Sequence, residues 1–351
     1  MMMTRRDCLI AGGAALGLAA ALAQQKPATK LGVELGCISA SRFTPYQYLD
    51  YFHKVGIEAA QFNAGTLGIK EADPDEAELR KIRAYAENLG VSLMAYSGRS
   101  ICPTSTGFDA RQGTAEQQIA QGLRVAKIIG AKCMRVVLGS FKDRPEIDRH
   151  LDSMTKVIKN VRSQVHDSGI KLALENHNAD LQAREIKALI EEVGFDTLGV
   201  CLDSGNPLAI MEDPHLTLEL LGPYALTSHV RDTAVWRVPE GVALRWCNMG
   251  EGNVDIDGWV KKFVKMQPSL PVSFENLPQP TPRIIPIFGP DDLRYFPKMP
   301  AQDLARYLAL AEHGKPLPNA TPVPANRRGD QQREDLEVCI RYTRKLLSTA
   351  V

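Results

Sequence analysis

The sequence predicts a single (β/α)₈ TIM barrel, and three observations support this fold class. From Leu31 onward, short apolar strands alternate with amphipathic helices. Five of the helices end at a glycine that is followed closely by a strand, namely Gly56, Gly90, Gly130, Gly169 and Gly194. No strand-to-helix turn carries the GxGxxG pattern of a dinucleotide-binding sheet. Eight strands alternating with helices over roughly 250 residues therefore favour a closed barrel over an open, doubly wound sheet.

The eight strands are predicted at residues 31–37, 58–63, 91–96, 133–138, 170–175, 198–203, 225–230 and 271–275. Among the helices, "TPYQYLDYFHKVG" has Thr44 as its N-cap and Pro45 at its first position. The segment "DPDEAELRKIRAYAENLG" is predicted to open in the same way, with Asp73 and Pro74. The last barrel helix is predicted at "REDLEVCIRYTRKLL".

One proline-rich segment interrupts this alternation. Residues 278–330 contain 11 of the 22 prolines and a predicted helix at "AQDLARYLALAEH". We interpret the segment as an insertion between the last strand and the last helix, where barrel enzymes carry substrate loops and lids. A partly disordered surface insertion is the alternative. The predicted barrel domain, residues 31–351, includes this insertion.

The N-terminus is predicted to direct export. Residues 1–23 have a basic start, a short apolar run and a small-residue cleavage pattern at Ala21–Ala23, which is typical of a signal peptide. The segment "TRRDCLI" resembles a twin-arginine signal, with an ordinary secretory signal as the alternative. A periplasmic or secreted location follows, with residues 24–30 as a linker. No later apolar run approaches the ~20 residues of a spanning helix, so no stable membrane anchor is expected.

The charge and the cysteine content of the chain limit the classes of partner and of covalent cross-link to be expected. The net charge is +1 and no block of like charge is present, which argues against nucleic-acid binding. Six cysteines follow Ala23 without any CxxC spacing, and most are interpreted as small core residues, although a bridge from Cys102 or Cys247 stays open. Homo-oligomerisation also stays open.

Four consecutive strands end in polar side chains. The segments "LALE", "GVCLD", "LTSH" and "PVSFE" end in Glu175, Asp203, His229 and Glu275. The carboxyl ends of barrel strands form one rim, so we expect these side chains to converge. Three converging carboxylates repel one another unless a cation lies among them. The set predicts one divalent metal ion, with Mn²⁺, Co²⁺, Mg²⁺ and Zn²⁺ all compatible with the donors.

Five motifs carry a resemblance to a known family. The segments "LALENH", "CLDSGNP", "SHVRD", "GEGNVDIDGW" and "SFEN" resemble the xylose isomerase-like barrel superfamily, and within it the sugar isomerases and epimerases that include the ketose 3-epimerases. This resemblance implies that Glu175, Asp203, His229 and Glu275 bind one ion, commonly Mn²⁺. It also implies that Glu175 and Glu275 act as acid and base.

The implied activity is isomerisation or epimerisation of an unphosphorylated sugar or glycoside, by proton transfer through a cis-enediolate. Two alternatives stay open. A metal-dependent lyase would expel a leaving group from a 3-oxo-glycoside by β-elimination. A carbohydrate-binding barrel would keep only a vestigial site.

Two positions depart from the epimerase pattern. Asn206 stands where those enzymes carry a substrate-binding histidine, and Arg231 follows His229 by two residues rather than several. These changes leave the substrate open. From their positions near strand ends, the candidates for substrate contact are His177, Asn206, Arg231, Trp246, Glu34 and Asn63. Core packing is the alternative role for Trp246, and a salt bridge to Asp232 or Glu275 is the alternative for Arg231.

Overall fold

The computed structural model describes residues 29–178 and 180–349. The predicted signal peptide, residues 1–23, lies outside the described residues, as does most of the predicted linker. In chain order the strands are β1 (Leu31–Glu34), β2 (Ala59–Asn63), β3 (Ser92–Ser100), β4 (Cys133–Val137), β5 (Lys171–Glu175), β6 (Leu198–Asp203), β7 (Ala225–His229), β8 (Asp232–Val238), β9 (Gly241–Cys247), β10 (Val272–Phe274) and β11 (Arg283–Pro286).

Eight of these strands form a parallel barrel. They are ordered β10-β1-β2-β3-β4-β5-β6-β7. Barrel strands that follow one another along the chain, from β1 to β7, are therefore also neighbours in the sheet. The two ends meet where Val230 bridges Phe274. There, the Val230 amide donates to the Ser273 carbonyl (2.7 Å) and the Glu275 amide donates to the Val230 carbonyl (3.1 Å). The predicted (β/α)₈ barrel is confirmed, and each predicted strand overlaps an observed one.

The helices lie between the strands and after them. They are α1 (Pro45–Val55), α2 (Ala64–Leu67), α3 (Glu76–Asn88), α4 (Ala115–Ile129), α5 (Ile147–Ser168), α6 (Ala183–Val193), α7 (Pro214–Leu221), α8 (Ile256–Met266), α9 (Ala301–Glu312) and α10 (Arg328–Ser348). The five glycines predicted to end helices all have positive φ. This conformation is favourable for glycine because it has no Cβ.

Two predicted helix starts had different outcomes. Thr44 caps α1 as predicted, because its side chain accepts from the Gln47 amide while the Gln47 side chain accepts from the Thr44 amide. The predicted start of α3 at Asp73 was wrong. Asp75 is the cap, and its side chain accepts from the Glu78 amide at 3.0 Å, so the helix begins at the following residue.

A second, smaller sheet lies beside the barrel. Strands β8 and β9 form an antiparallel hairpin directly after β7, and β11 pairs with the other edge of β9. Helix α9, which the sequence predicted within the proline-rich segment, packs on this sheet. Their shared core includes Val235, Val242, Leu244, Ile285, Phe296 and Tyr307. The hairpin and part of the proline-rich segment therefore form one packed unit.

The six cysteines of the described chain are all buried and unpaired. The interpretation of most of them as core residues agrees with this burial, and neither Cys102 nor Cys247 forms a bridge. Across residues 29–178 and 180–349, no helix has both the length and the hydropathy that crossing a membrane requires.

Candidate metal centre

Four side chains from four strand ends meet at the mouth of the barrel. Glu175, Asp203 and His229 are the last residues of β5, β6 and β7, and Glu275 directly follows β10. One ligand atom from each lies within 4.8 Å of those from the other three. The first three are buried, whereas 14% of the Glu275 side chain is exposed. The convergence expected from the strand ends is therefore present.

Asp203 is held in a fixed orientation by its neighbours. The Asn176 side chain joins the ends of β5 and β6, because it donates to the Asp203 carbonyl and accepts from the Asp203 amide, both at 2.8 Å. The Asp203 Oδ1 atom accepts from the amides of Gly205 and Asn206, both at 2.7 Å. Its Oδ2 atom accepts from Arg231 Nη2 at 2.5 Å. Asp203 therefore directs one oxygen into the backbone and the other toward the cluster.

Glu175, a buried carboxylate at the end of an apolar strand, has two partners. Its Oε1 atom accepts from Asn206 Nδ2 at 3.0 Å, and its Oε2 atom contacts Nε and Nη2 of Arg135. Burial alone would raise the pKa of Glu175, but the positive charges of Arg135 and His229 hold it well below its ordinary value. Glu175 is therefore held in its ionised form.

Arg135 was missed in the sequence analysis. It lies in the middle of β4, in "CMRVV", where an isolated charge in an apolar strand needs a compensating partner. That signal is the same one that identified Glu175. The identity of the partner depends on the register of β4 and β5, where Arg135 is aligned with Ala173.

The buried polar atoms of this cluster that lack a hydrogen-bond partner are suitable ligands for a cation. His229 Nδ1 lies 3.5 Å from Glu175 Oε1 and 3.3 Å from Glu275 Oε2. Both ring nitrogens of His229 are buried without a hydrogen-bond partner. Buried polar atoms are rarely left in this state unless an ion or a water satisfies them. One imidazole and three carboxylates are a donor set that suits Mn²⁺, Co²⁺, Mg²⁺ or Zn²⁺.

Arg231 and Trp246 lie beside the cluster. Arg231 is almost fully buried and contacts both Asp203 Oδ2 and Glu275 Oε2 through Nη2. Its guanidinium lies 4.2 Å from the centre of the Trp246 ring, a cation–π arrangement. Trp246 belongs to β9, so the hairpin brings it to the mouth. The salt bridge from Arg231 to Glu275 is present, whereas Asp232 instead accepts from the amides of a glycine-rich turn.

Two of the remaining candidates for substrate contact, Glu34 and His177, lie in different environments. Glu34, at the end of β1, is buried and accepts from the Gly36 amide at 2.6 Å, and burial raises its pKa although the charges of His229 and Arg135 oppose this. His177 Nδ1 lies 3.1 Å from the Gly139 carbonyl, and 31% of its side chain is exposed.

Asn63 differs from the other candidates because its side chain has a local structural role. Its Oδ1 atom accepts from the Thr66 amide at 2.9 Å and caps α2.

A second set of donors includes a cysteine. Cys201, two residues before Asp203, could join Glu175 and His229 around an ion. Burial raises the pKa of the Cys201 thiol, which keeps it protonated. Cys201 packs in a cluster of small side chains with Ala95, Cys133 and Ala173. We therefore assign it to the floor of the site rather than to the ligand set.

Comparison with known proteins identifies the family. Residues 49–284, more than half of the chain, match the family described as xylose isomerase-like TIM barrel. The chain belongs to this family, as its sequence motifs predicted.

The individual relatives have low sequence identity to this chain. The chain is 26% identical over 183 residues to a 3-oxo-isoapionate decarboxylase of Pectobacterium atrosepticum, and the match covers 52% of this chain and 60% of that protein. The crystal structure of the IolI protein with a bound zinc atom has a TM-score of 0.61 at 14% identity, covering 92% and 99% of the two chains. A D-psicose 3-epimerase of Clostridium cellulolyticum H10, solved with D-tagatose, has a TM-score of 0.58 at 12% identity, covering 89% and 98%. At these identities the two structures support the fold alone.

Proposed function

We propose that the protein is a divalent-metal-dependent sugar isomerase or epimerase that acts on an unphosphorylated sugar or glycoside. The observation that carries this proposal is the convergence of Glu175, Asp203, His229 and Glu275 at the mouth of a xylose isomerase-like barrel. The similarity to a D-psicose 3-epimerase, a sugar-acting enzyme by its name, supports it.

The four converging residues would hold the ion, and Mn²⁺ is our first choice because three of the four donors are carboxylates. A bound dication would polarise the substrate carbonyl and make the adjacent C–H bond more acidic. The zinc atom in IolI makes Zn²⁺ the second choice.

Glu275 and Glu175 would transfer the proton. Glu275 is the ligand with an exposed fraction, so it can reach a substrate carbon and take its proton as a general base. Glu175, which is ionised in the free protein, would first take a proton from solvent or from a substrate hydroxyl. It would then return that proton to the cis-enediolate, on the opposite face for epimerisation or at the neighbouring carbon for isomerisation. General acid–base steps of this kind contribute ~10²–10⁴-fold each.

Other side chains at the mouth would contact the substrate. We assign this role to His177, Asn206, Arg231, Trp246 and Glu34. We assign none to Asn63, because its side-chain oxygen caps α2.

A lyase is the second candidate, and the relative named 3-oxo-isoapionate decarboxylase favours it. Loss of carbon dioxide from a 3-oxo acid would generate an enediolate, which then needs a proton on carbon. In a 3-oxo-glycoside, removal of a proton beside the 3-oxo group would instead form an enediolate that expels the aglycone, and the departing oxygen then needs the proton. The same glutamates could supply it.

We also propose that the protein is exported to the periplasm or secreted. The support is the sequence of residues 1–23 alone. N-terminal sequencing of the protein recovered from outside the cytoplasm should find Gln24 as the first residue, whereas recovery of the uncleaved chain from the cytoplasm would contradict export.

The test of the proposed activity has two steps. Elemental analysis of the purified protein should first find about one divalent ion per chain. A panel of sugars and keto-glycosides in D₂O should then show deuterium at a sugar carbon without loss of a leaving group. Release of an aglycone or of carbon dioxide would instead identify the lyase.

Two variants make this test specific. Glu275→Gln should abolish the exchange, whereas Glu87→Gln, a change in an exposed ion pair on α3, should leave it unchanged. A protein that binds no metal and exchanges no sugar would contradict both candidates and favour a binding protein with a vestigial site.

A further inference from the structure

We infer that the substrate of this site carries a carboxylate, so that its substrates are sugar acids, and that Arg135 is the residue that selects them. The inference rests on the proposed function, because it concerns the same site. The environment of Arg135 is the first observation. Its Nε and Nη2 atoms contact one oxygen of Glu175, and 14% of its side chain is exposed at the mouth.

The third guanidinium nitrogen of Arg135 is free to bind a ligand. Within the described part of the chain, Nη1 donates to no protein group, and it is not among the buried atoms that lack a partner. Arg135 is therefore fixed by Glu175 on one side and open on the other. A guanidinium held in this way is well suited to a carboxylate, because it is planar, always charged and oriented in advance.

The charge balance of the mouth is the second observation. A dication would contribute two positive charges, and Arg135 and Arg231 contribute one each. Glu175, Asp203 and Glu275 contribute one negative charge each, so these six groups leave a surplus of one positive charge. Two further buried carboxyls near Glu175, those of Glu34 and Asp180, would offset this surplus where they ionise. Without the two arginines, the same mouth would be negative and would repel an anion. Opposite charges attract more strongly in this partly buried mouth than in bulk water, which favours an acid over a neutral sugar.

A structural role for Arg135 does not account for this arrangement by itself. A dication and Arg231 together would already balance the charges of Glu175, Asp203 and Glu275, so the additional buried cation on β4 carries a desolvation cost that this charge balance does not require. A relative whose name specifies an acid, 3-oxo-isoapionate, points to the same substrate class from an independent direction.

The experiment compares matched acids and neutral sugars by isothermal titration calorimetry on the metal-loaded protein. The pairs are D-gluconate with D-glucitol and 2-keto-D-gluconate with D-fructose, which differ by a carboxylate in place of a hydroxymethyl group. We expect each acid to bind at least about tenfold more tightly than its neutral partner, and the difference to shrink as salt screens the charges.

Three variants locate the effect. Arg135→Gln should reduce the preference to less than about threefold, and Arg135→Lys should keep part of it because the charge remains. Arg124→Gln removes an exposed arginine that pairs with Glu76, and it should bind like the wild type. Metal content and circular dichroism are measured for every variant. A folded, metal-loaded Arg135→Gln protein that keeps the wild-type preference for acids would overturn the inference. If Arg135→Gln loses its metal or its fold, Arg135→Lys decides the result, and an unchanged preference in that variant would overturn the inference.

The remaining outcomes separate this inference from the proposed function. A metal-loaded wild-type protein that binds the neutral sugars as tightly as the acids, or that binds neither, overturns the inference and leaves the metal site intact. A wild-type protein that holds no metal and binds none of the four compounds contradicts the proposed function itself.

Discussion

Asn176 shows how a single residue outside the ligand set orients a ligand. Its side chain satisfies both the amide and the carbonyl of Asp203 inside the protein. The substitution Asn176→Ala would leave these two buried groups without partners, at a cost of about 1–3 kcal/mol for each group. We expect a lower midpoint of urea denaturation and weaker metal binding.

The matched control is Asn160→Ala, because Asn160 is exposed and its side chain donates to Glu116 on the protein surface. This control should change the midpoint very little. Equal midpoints for the two variants would show that the contacts of Asn176 do not stabilise the mouth.

The site could be predicted from the sequence where strand geometry alone decides it. Glu175, Asp203 and His229 end parallel strands, so the barrel brings them together whatever their neighbours are. The pairing of Arg135 with Glu175 could not be predicted, because it depends on register and on the reach of a long side chain across β4 and β5. At Asn63 the strand-end position also suits a helix cap, a local role that the sequence analysis did not consider.

At the scale of elements, the hairpin of β8 and β9 was the main structure that the sequence analysis did not assign. Barrel alternation predicts a helix after β7, yet "DTAVWRV" and "GVALRWC" flank a short turn and pair along their whole length. Their apolar faces are buried by β11 and α9, which come later in the chain. A local pattern cannot specify such a partner. The hairpin matters for the site because it carries Trp246.

Glu212, which contacts the first residue of α6, makes the stability of the protein depend on pH. Both of its carboxylate oxygens lie 3.0 Å from the amide of Ala183, the first residue of α6, and burial raises the pKa of Glu212 to about 8. The ordinary pKa is 4.5, so between these values the unfolded chain releases a proton that the folded protein keeps. The free energy of unfolding should therefore fall as pH rises through this range, by at most ~1.4 kcal/mol per pH unit from this group.

The variant Glu212→Gln lacks this titration and should show a flatter decline of melting temperature from pH 5 to pH 8. Thermal denaturation followed by circular dichroism measures it. Glu192→Gln, a change in an exposed ion pair with Lys159, should keep the wild-type slope. Identical slopes in all three proteins would rule out Glu212 as the titrating group.

At the scale of the whole molecule, metal binding should stabilise the barrel. The proposed ligands come from four strands that are spread along the chain, so an ion can bind them together only in the folded state. A ligand at 100 times its Kd adds about 2.7 kcal/mol, and each kcal/mol shifts the melting temperature of a larger domain by about 2–4 °C. Removal of the metal with EDTA should therefore lower the melting temperature by several degrees.

Readdition of Mn²⁺ should restore the melting temperature, as measured by differential scanning calorimetry. Asp203→Asn is the control, because it keeps the shape of the side chain but removes its charge. It should respond to neither EDTA nor Mn²⁺. A wild-type protein with the same insensitivity would argue against a metal centre at these residues.

The buried cysteines determine how the stability of the fold responds to oxidising and reducing conditions. All six thiols of the described chain are unpaired and enclosed, and burial raises the pKa of those at Cys37, Cys133, Cys247 and Cys339, which keeps them in the unreactive thiol form. The barrel needs no oxidant to reach its native state. Its melting temperature should be the same with and without dithiothreitol. The stability of the barrel should therefore not depend on the redox potential of its surroundings.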